Sequence, residues 1–112
     1  MRIERRRAPR VFEVLGRLEG EIVSIDAPLT VREVSLGGLS FGSTLAFPSG
    51  VVHEFRLTLG DGSEVLLRGR VVRSQEKTAE NGSRQFIIGV QFVDDEPLGD
   101  DSPIGHLINK IK

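Results

Sequence analysis

Very few side chains in this sequence are arranged to do chemistry. The densest group is Arg5-Arg6-Arg7-Ala8-Pro9-Arg10, four guanidinium groups within six positions. Pro9 fixes its own φ and biases Ala8 toward an extended backbone, so these arginines ride on a partly stiffened arm. A guanidinium fork donates two parallel hydrogen bonds, to phosphate oxygens or to the O6/N7 edge of guanine. The second group is Glu33-Val34-Ser35-Leu36-Gly37-Gly38. It sets an acid and a hydroxyl beside paired glycines, which permit positive φ and let a ligand approach bare backbone. Taken alone, the first group reads first as a solvated tail and the second as an ordinary hairpin turn.

Catalytic patterns are missing. His53 falls on the apolar side of a strand and His106 on a helix, and neither has an acid partner at local spacing. There is no nucleophile elbow, phosphate-binding loop or HExxH pair, and Asp94-Asp95-Glu96 lacks the ligand spacing of a calcium loop. The expectation is a protein that is not an enzyme and carries no metal or cofactor.

Charge is distributed unevenly. The 112-residue chain has a net charge of −1, yet residues 2–10 carry five arginines against one glutamate and residues 94–101 carry five acids and no base. A nucleic-acid-binding domain would spread its basic excess over a face, so the arm is expected to serve a small anionic target. The chain has no cysteine, no apolar run following its charged start and no stretch long enough to span a bilayer. These features lead us to expect a soluble cytoplasmic protein with no membrane or nucleic-acid partner.

The elements that must position both groups are mostly strands. Val51–Leu59 alternates with period two, Gly60-Asp61-Gly62-Ser63 supplies turn chemistry, and Glu64–Arg73 alternates again, with Val65, Leu67 and Val71 against Arg68 and Arg70. Gly69 inside that strand suggests a bulge or the close approach of another backbone. Ser74–Arg84 is polar and contains the turn dipeptide Asn81-Gly82, and Gln85–Val93 then sets Phe86, Ile88, Val90 and Phe92 on one face. Upstream, Glu21–Ile25 and Leu29–Val34 read as strands broken at Asp26-Ala27-Pro28, and Gly38–Phe41 as another. Ser102-Pro103 followed by Ile104, Leu107, Ile108 and Ile111 predicts a short amphipathic helix, with Asp100 and Asp101 before it and Lys110 and Lys112 at its end as the helix dipole favours. Many short strands at even spacing argue for a barrel or a sandwich and against a βαβ fold; with the family resemblance that the two groups carry, the expected fold is all-β, a small six-stranded antiparallel barrel with a short C-terminal helix. It forms a single domain over 1–112, with an arm at 1–12, the barrel at 13–93 and the helix at 102–112.

Taken together, the two groups resemble a known family. An RRxxxR arm followed some 20–30 residues later by a [D/N]xSxxG turn in a small β-barrel is similar to the PilZ domain, a bacterial receptor family for cyclic di-GMP. Arg5-Arg6-Arg7-Ala8-Pro9-Arg10 matches the first motif, and Glu33-x-Ser35-x-x-Gly38 matches the second except at its first position. The strand Gly89-Val90-Gln91-Phe92 and the terminal helix are also similar. The resemblance implies that Arg6 and Arg10, assisted by Arg5, clamp the phosphates and guanine edges of cyclic di-GMP. It gives Glu33 and Ser35 the other side of the ligand, gives Gly38 the task of keeping the turn open, and implies that a downstream protein partner receives the signal. Glu33 stands where the family has Asp or Asn, and its extra methylene carries the carboxylate about 1.5 Å outward. A PilZ-like interaction adaptor that does not bind the nucleotide is the alternative reading.

Overall fold

The computed structural model describes residues 11–14, 17–93 and 103–111. Seven strands and one helix follow in chain order: β1 (Phe12–Glu13), β2 (Leu18–Ile22), β3 (Ala27–Val34), β4 (Gly38–Ser43), β5 (Val52–Leu59), β6 (Glu64–Thr78), β7 (Arg84–Phe92) and α1 (Pro103–Ile111). They form one sheet in the order β1-β3-β2-β5-β6-β7-β4, and an additional pairing of β3 with β4 closes it. Strands β2 to β7 therefore make a closed, six-stranded antiparallel barrel, the expected fold class, with β1 a two-residue addition on β3.

The barrel is filled by the residues that the period-two pattern turns inward, among them Ile22, Val31, Phe41, Phe55, Leu57, Val71 and Ile88, all essentially inaccessible to water. At about 25 cal/mol per Å² of apolar area, this interior is the main stabilising term in a chain without disulfides. Helix α1 buries Ile104, Leu107, Ile108 and Ile111, the stripe its 3.6-residue period defined. Antiparallel order brings the β3–β4 and β5–β6 turns to the same end of the barrel, and the helix is secured there. Lys110 donates to Ser63 Oγ at 2.6 Å and pairs with Asp61 at 3.6 Å, and Arg17 Nη2 donates to the last helical carbonyl, that of Ile111. Lys110 thus ties the helix to the β5–β6 turn besides complementing the dipole. Ser102, Asp100, Asp101, Lys112 and the acidic run Asp94-Asp95-Glu96 lie outside the described residues.

Several expectations need correction. Val23–Ile25 is a 3₁₀ turn and not the end of a strand, and Asp26 follows it in the left-handed region at φ 52°. The chain reverses there, β3 already begins at Ala27, and Ile25 is left exposed. Strand β6 continues through the polar stretch to Thr78, because Thr78 pairs with Arg84 and Glu76 binds Arg84 at 2.6 Å. That makes a solvated hairpin closed by Asn81-Gly82, with Gly82 at φ 86°. Gly69 is neither in a bulge nor pressed mainly by backbone: an added Cβ would lie 2.3 Å from Val90 Cγ1 and 3.2 Å from the Phe55 ring. Two bulges occur elsewhere, at Arg32 in β3 and at Val72 in β6.

Candidate functional site

Parity explains what the bulges do. In β3, Leu29 and Val31 point inward, so strict alternation would bury Glu33. The extra residue at Arg32 reverses the sense, leaving Glu33 outside and Val34 1% exposed in the core. In β6, Leu67, Gly69 and Val71 point inward, and the bulge at Val72 turns Arg73 outward in the same way. A bulge is a means of re-aiming a side chain, and here two of them re-aim a carboxylate and a guanidinium onto one face. That face is crossed by a single row of register partners. Glu33 lies opposite Ser40, Ser40 opposite Gly89, and Gly89 opposite Arg73.

Above this row lies an open groove of about 390 Å³ whose lining includes Val11, Glu33, Ser35, Gly38, Arg73 and Gln91. Val11 enters because β1 runs antiparallel to β3, with Phe12 opposite Val34, so the residue that follows Arg10 stands beside Ser35. The turn that forms one wall is held internally. Ser35 N–H donates to the Gly38 carbonyl at 2.8 Å, and the Ser35 hydroxyl accepts from Gly37 N–H at 3.2 Å while donating to the Gly38 carbonyl at 3.4 Å. Phe92 N–H donates to the Gly37 carbonyl at 2.9 Å, anchoring the turn to β7. Glu33 Oε1 accepts from Ser40 Oγ at 3.4 Å.

The structure therefore brings three of the expected residues, Glu33, Ser35 and Gly38, onto one groove, while Arg5, Arg6 and Arg10 lie outside the described residues. Gly38 needs a different explanation from the one the sequence suggested. The positive-φ glycines among the described residues are Gly50, Gly62 and Gly82, so left-handed backbone is not why position 38 is glycine. A Cβ there would sit 2.1 Å from the Val90 carbonyl oxygen, and glycine is required because β7 backbone occupies that space. Arg73, Gly89 and Ser40 were not singled out as site residues. The sequence carries only an ambiguous trace of Arg73, an arginine on the buried parity of an otherwise regular strand, and the pairing with β7 decides where it points.

His53 packs edge-on between the Phe47 and Phe55 rings at 5.8 and 6.2 Å and does not line the groove. No group of three or more His, Cys, Asp or Glu side chains arranged to hold a metal occurs among the described residues, and no helix there is long and apolar enough to cross a membrane.

A small closed barrel, with a groove lined by the residue that follows the arginine cluster in sequence, fits one class of protein. The chain belongs to the PilZ domain family, whose match spans residues 4–110. Its fold is similar to that of MrkH from K. pneumonia in its apo state, with a TM-score of 0.72 at 15% identity, covering 96% of this chain and 52% of that one. It is also similar to the PilZ domain of YcgR from Escherichia coli, solved with c-di-GMP, with a TM-score of 0.68 at 12% identity, covering 96% and 88%. PlzA from Borreliella burgdorferi, in complex with c-di-GMP, matches with a TM-score of 0.55 at 13% identity over 85% of this chain and 42% of that one. The chain spans about half the length of MrkH. Curated proteins give no sequence match.

Proposed function

We propose that this chain is a non-enzymatic receptor for cyclic di-GMP in a bacterial cytoplasm. It holds the dinucleotide between Arg5, Arg6 and Arg10 of the arm and the wall formed by Glu33, Ser35 and Gly38, and it passes the signal to a protein partner when the arm closes. The observation that carries this reading is that Val11, adjacent in sequence to Arg10, lines the same groove as Glu33, Ser35 and Gly38. The described chain therefore begins, directly after the arginine half of the motif, beside the second half. The reading is supported by the c-di-GMP held in the structures of YcgR and of the MrkH complex.

The chemistry suits the ligand. Two phosphates and two guanines need fork-shaped donors and no catalytic base. Isothermal titration of the purified chain with cyclic di-GMP, with GTP and a linear dinucleotide as controls, is expected to give binding near micromolar, about 8 kcal/mol. Arg6→Ala and Arg10→Ala should each remove about 2–5 kcal/mol of that, as for truncating one partner of a buried charged hydrogen bond, whereas Arg2→Ala should have little effect. Absence of both heat and thermal shift at high ligand would overturn the receptor reading and favour an interaction adaptor, in which the carboxylate of Glu33 simply stays on Ser40.

A further inference from the structure

We propose that Arg73 is a binding residue of this groove, and that with Glu33 it reads one guanine base along two adjoining edges and so sets the base specificity of the site. The proposal rests on the receptor reading above and extends it to a residue outside both motifs.

The two charged side chains lean toward each other from the outer strands of the row. From β3, Glu33 reaches over β4, where its carboxylate meets Ser40 Oγ at 3.4 Å. From β6, Arg73 reaches over β7, where its Nε and Nη2 lie 3.5 Å from the position a Cβ on Gly89 would take. Ser40 and Gly89 are direct cross-strand partners, so carboxylate and guanidinium end about one strand spacing apart, roughly 5 Å. They do not form an ion pair with each other, and among the described residues the Arg73 guanidinium has neither an ion pair nor a hydrogen bond, its backbone being held in the ladder with Gly89. Only a hydroxymethyl group and bare backbone lie between them, a flat strip with a fork donor at one side and a two-oxygen acceptor at the other.

A phosphate does not fit such a strip, because the carboxylate would repel what the arginine attracts. A guanine base does fit. Its Hoogsteen edge presents N7 and O6, both acceptors, and the adjoining Watson–Crick edge presents N1–H and the N2 amino group, both donors. Arg73 donates to the first pair and Glu33 accepts from the second. Adenine reverses the pattern where it matters, with an amino donor in place of O6 facing the arginine and a bare N1 acceptor facing the carboxylate. A donor would then oppose a donor and an acceptor an acceptor.

The test is calorimetric titration of wild type, Arg73→Ala, Arg73→Lys and Arg70→Ala with cyclic di-GMP and with cyclic di-AMP, which shares the ribose–phosphate ring and differs in the base. Arg70 is exposed on the same strand but does not line the groove, so Arg70→Ala is a control for diffuse attraction. Arg73→Ala is expected to weaken cyclic di-GMP binding about ten- to a hundred-fold, the worth of a bidentate base contact, and to leave the weaker cyclic di-AMP binding nearly unchanged. Lysine at position 73 should not restore the preference, because it lacks the fork. Equal losses for both nucleotides would make Arg73 a phosphate contact, and an equal loss in Arg70→Ala would make it one member of a diffuse field. Wild-type affinity in Arg73→Ala would leave it idle. Each of these overturns the proposal while the receptor reading stands, whereas wild type that binds neither nucleotide overturns both.

Discussion

Two faces of the barrel each set a carboxylate against an arginine, with opposite results. On the face formed by β2 and β5, Glu21 and Arg56 are direct register partners, and they close a salt bridge at 2.8 Å beside Glu19, Asp26 and Thr58. On the groove face, Glu33 and Arg73 stand on strands β3 and β6 with β4 and β7 between them, and the intervening residues are Ser40 and Gly89. The first pair consumes its own hydrogen-bonding capacity. The second remains divided by a strip with no bulk, available to something that lies across it. Both faces hold a carboxylate and an arginine, and strand register decides which pair closes and which stays open.

The largest effect on this contrast is expected from Gly38→Ala. Its new Cβ would fall 2.1 Å from the Val90 carbonyl, so the β4–β7 ladder must open at the end that carries the groove. The expected loss is about 3 kcal/mol of stability, the upper range for overpacking, measured by thermal or urea denaturation, with binding lost alongside. An unperturbed melt would mean that β4 yields there.

Glu33→Asp sharpens the contrast more gently. Shortening the side chain draws the carboxylate away from Ser40 and restores the family's residue at that position. Binding of cyclic di-GMP is expected to tighten by about 1 kcal/mol, one net hydrogen bond. Clearly weaker binding in titration would show that the ligand contact of Glu33 needs the full reach of the longer side chain.

On the opposite face, Arg56→Ala should cost under about 1 kcal/mol of stability, as half-exposed ion pairs do, and should leave nucleotide affinity unchanged. A loss of affinity there would erase the distinction between the faces. The smallest effect is expected at Asp61. Its carboxyl pKa is lowered first by hydrogen bonds from the Ser63 hydroxyl and backbone N–H, and then by Lys110. A depressed folded-state value means that the stabilisation is present above the unfolded pKa and disappears as pH falls through the folded one. Asp61→Asn should therefore melt slightly below wild type at neutral pH and together with it in acid.

The barrel was legible because most of it obeys one rule. Phe55, Leu57 and Leu59 alternate without interruption, as do Ile88, Val90 and Phe92, and Ile104, Leu107, Ile108 and Ile111 hold the helical period. The site was legible only as sequence motifs. Glu33 and Ser35 could be named, but Arg73 could not, because its side is set by the pairing of β6 with β7 and not by its neighbours in sequence. The Val71-Val72-Arg73 run fits several parities until a partner strand selects one. The reason for Gly38 was hidden for the same cause, since the atom that excludes a side chain there belongs to Val90, 52 positions away.

The bulge at Val72 has a further consequence, for solubility. Pairing between β5 and β6 ends at Val52 and Arg70, extended only by the hydrogen bonds of Gly50 and Val51 to Val71. From Val72 to Thr78, β6 has no strand on that side among the described residues. Such an open edge is the kind of template on which a second polypeptide adds and fibres begin. Here the edge starts with a kink that breaks its repeat, and it continues through Arg73, Glu76 and Lys77, all exposed charges. The distortion that delivers an arginine to the groove also leaves incoming backbone no flat, neutral run to copy.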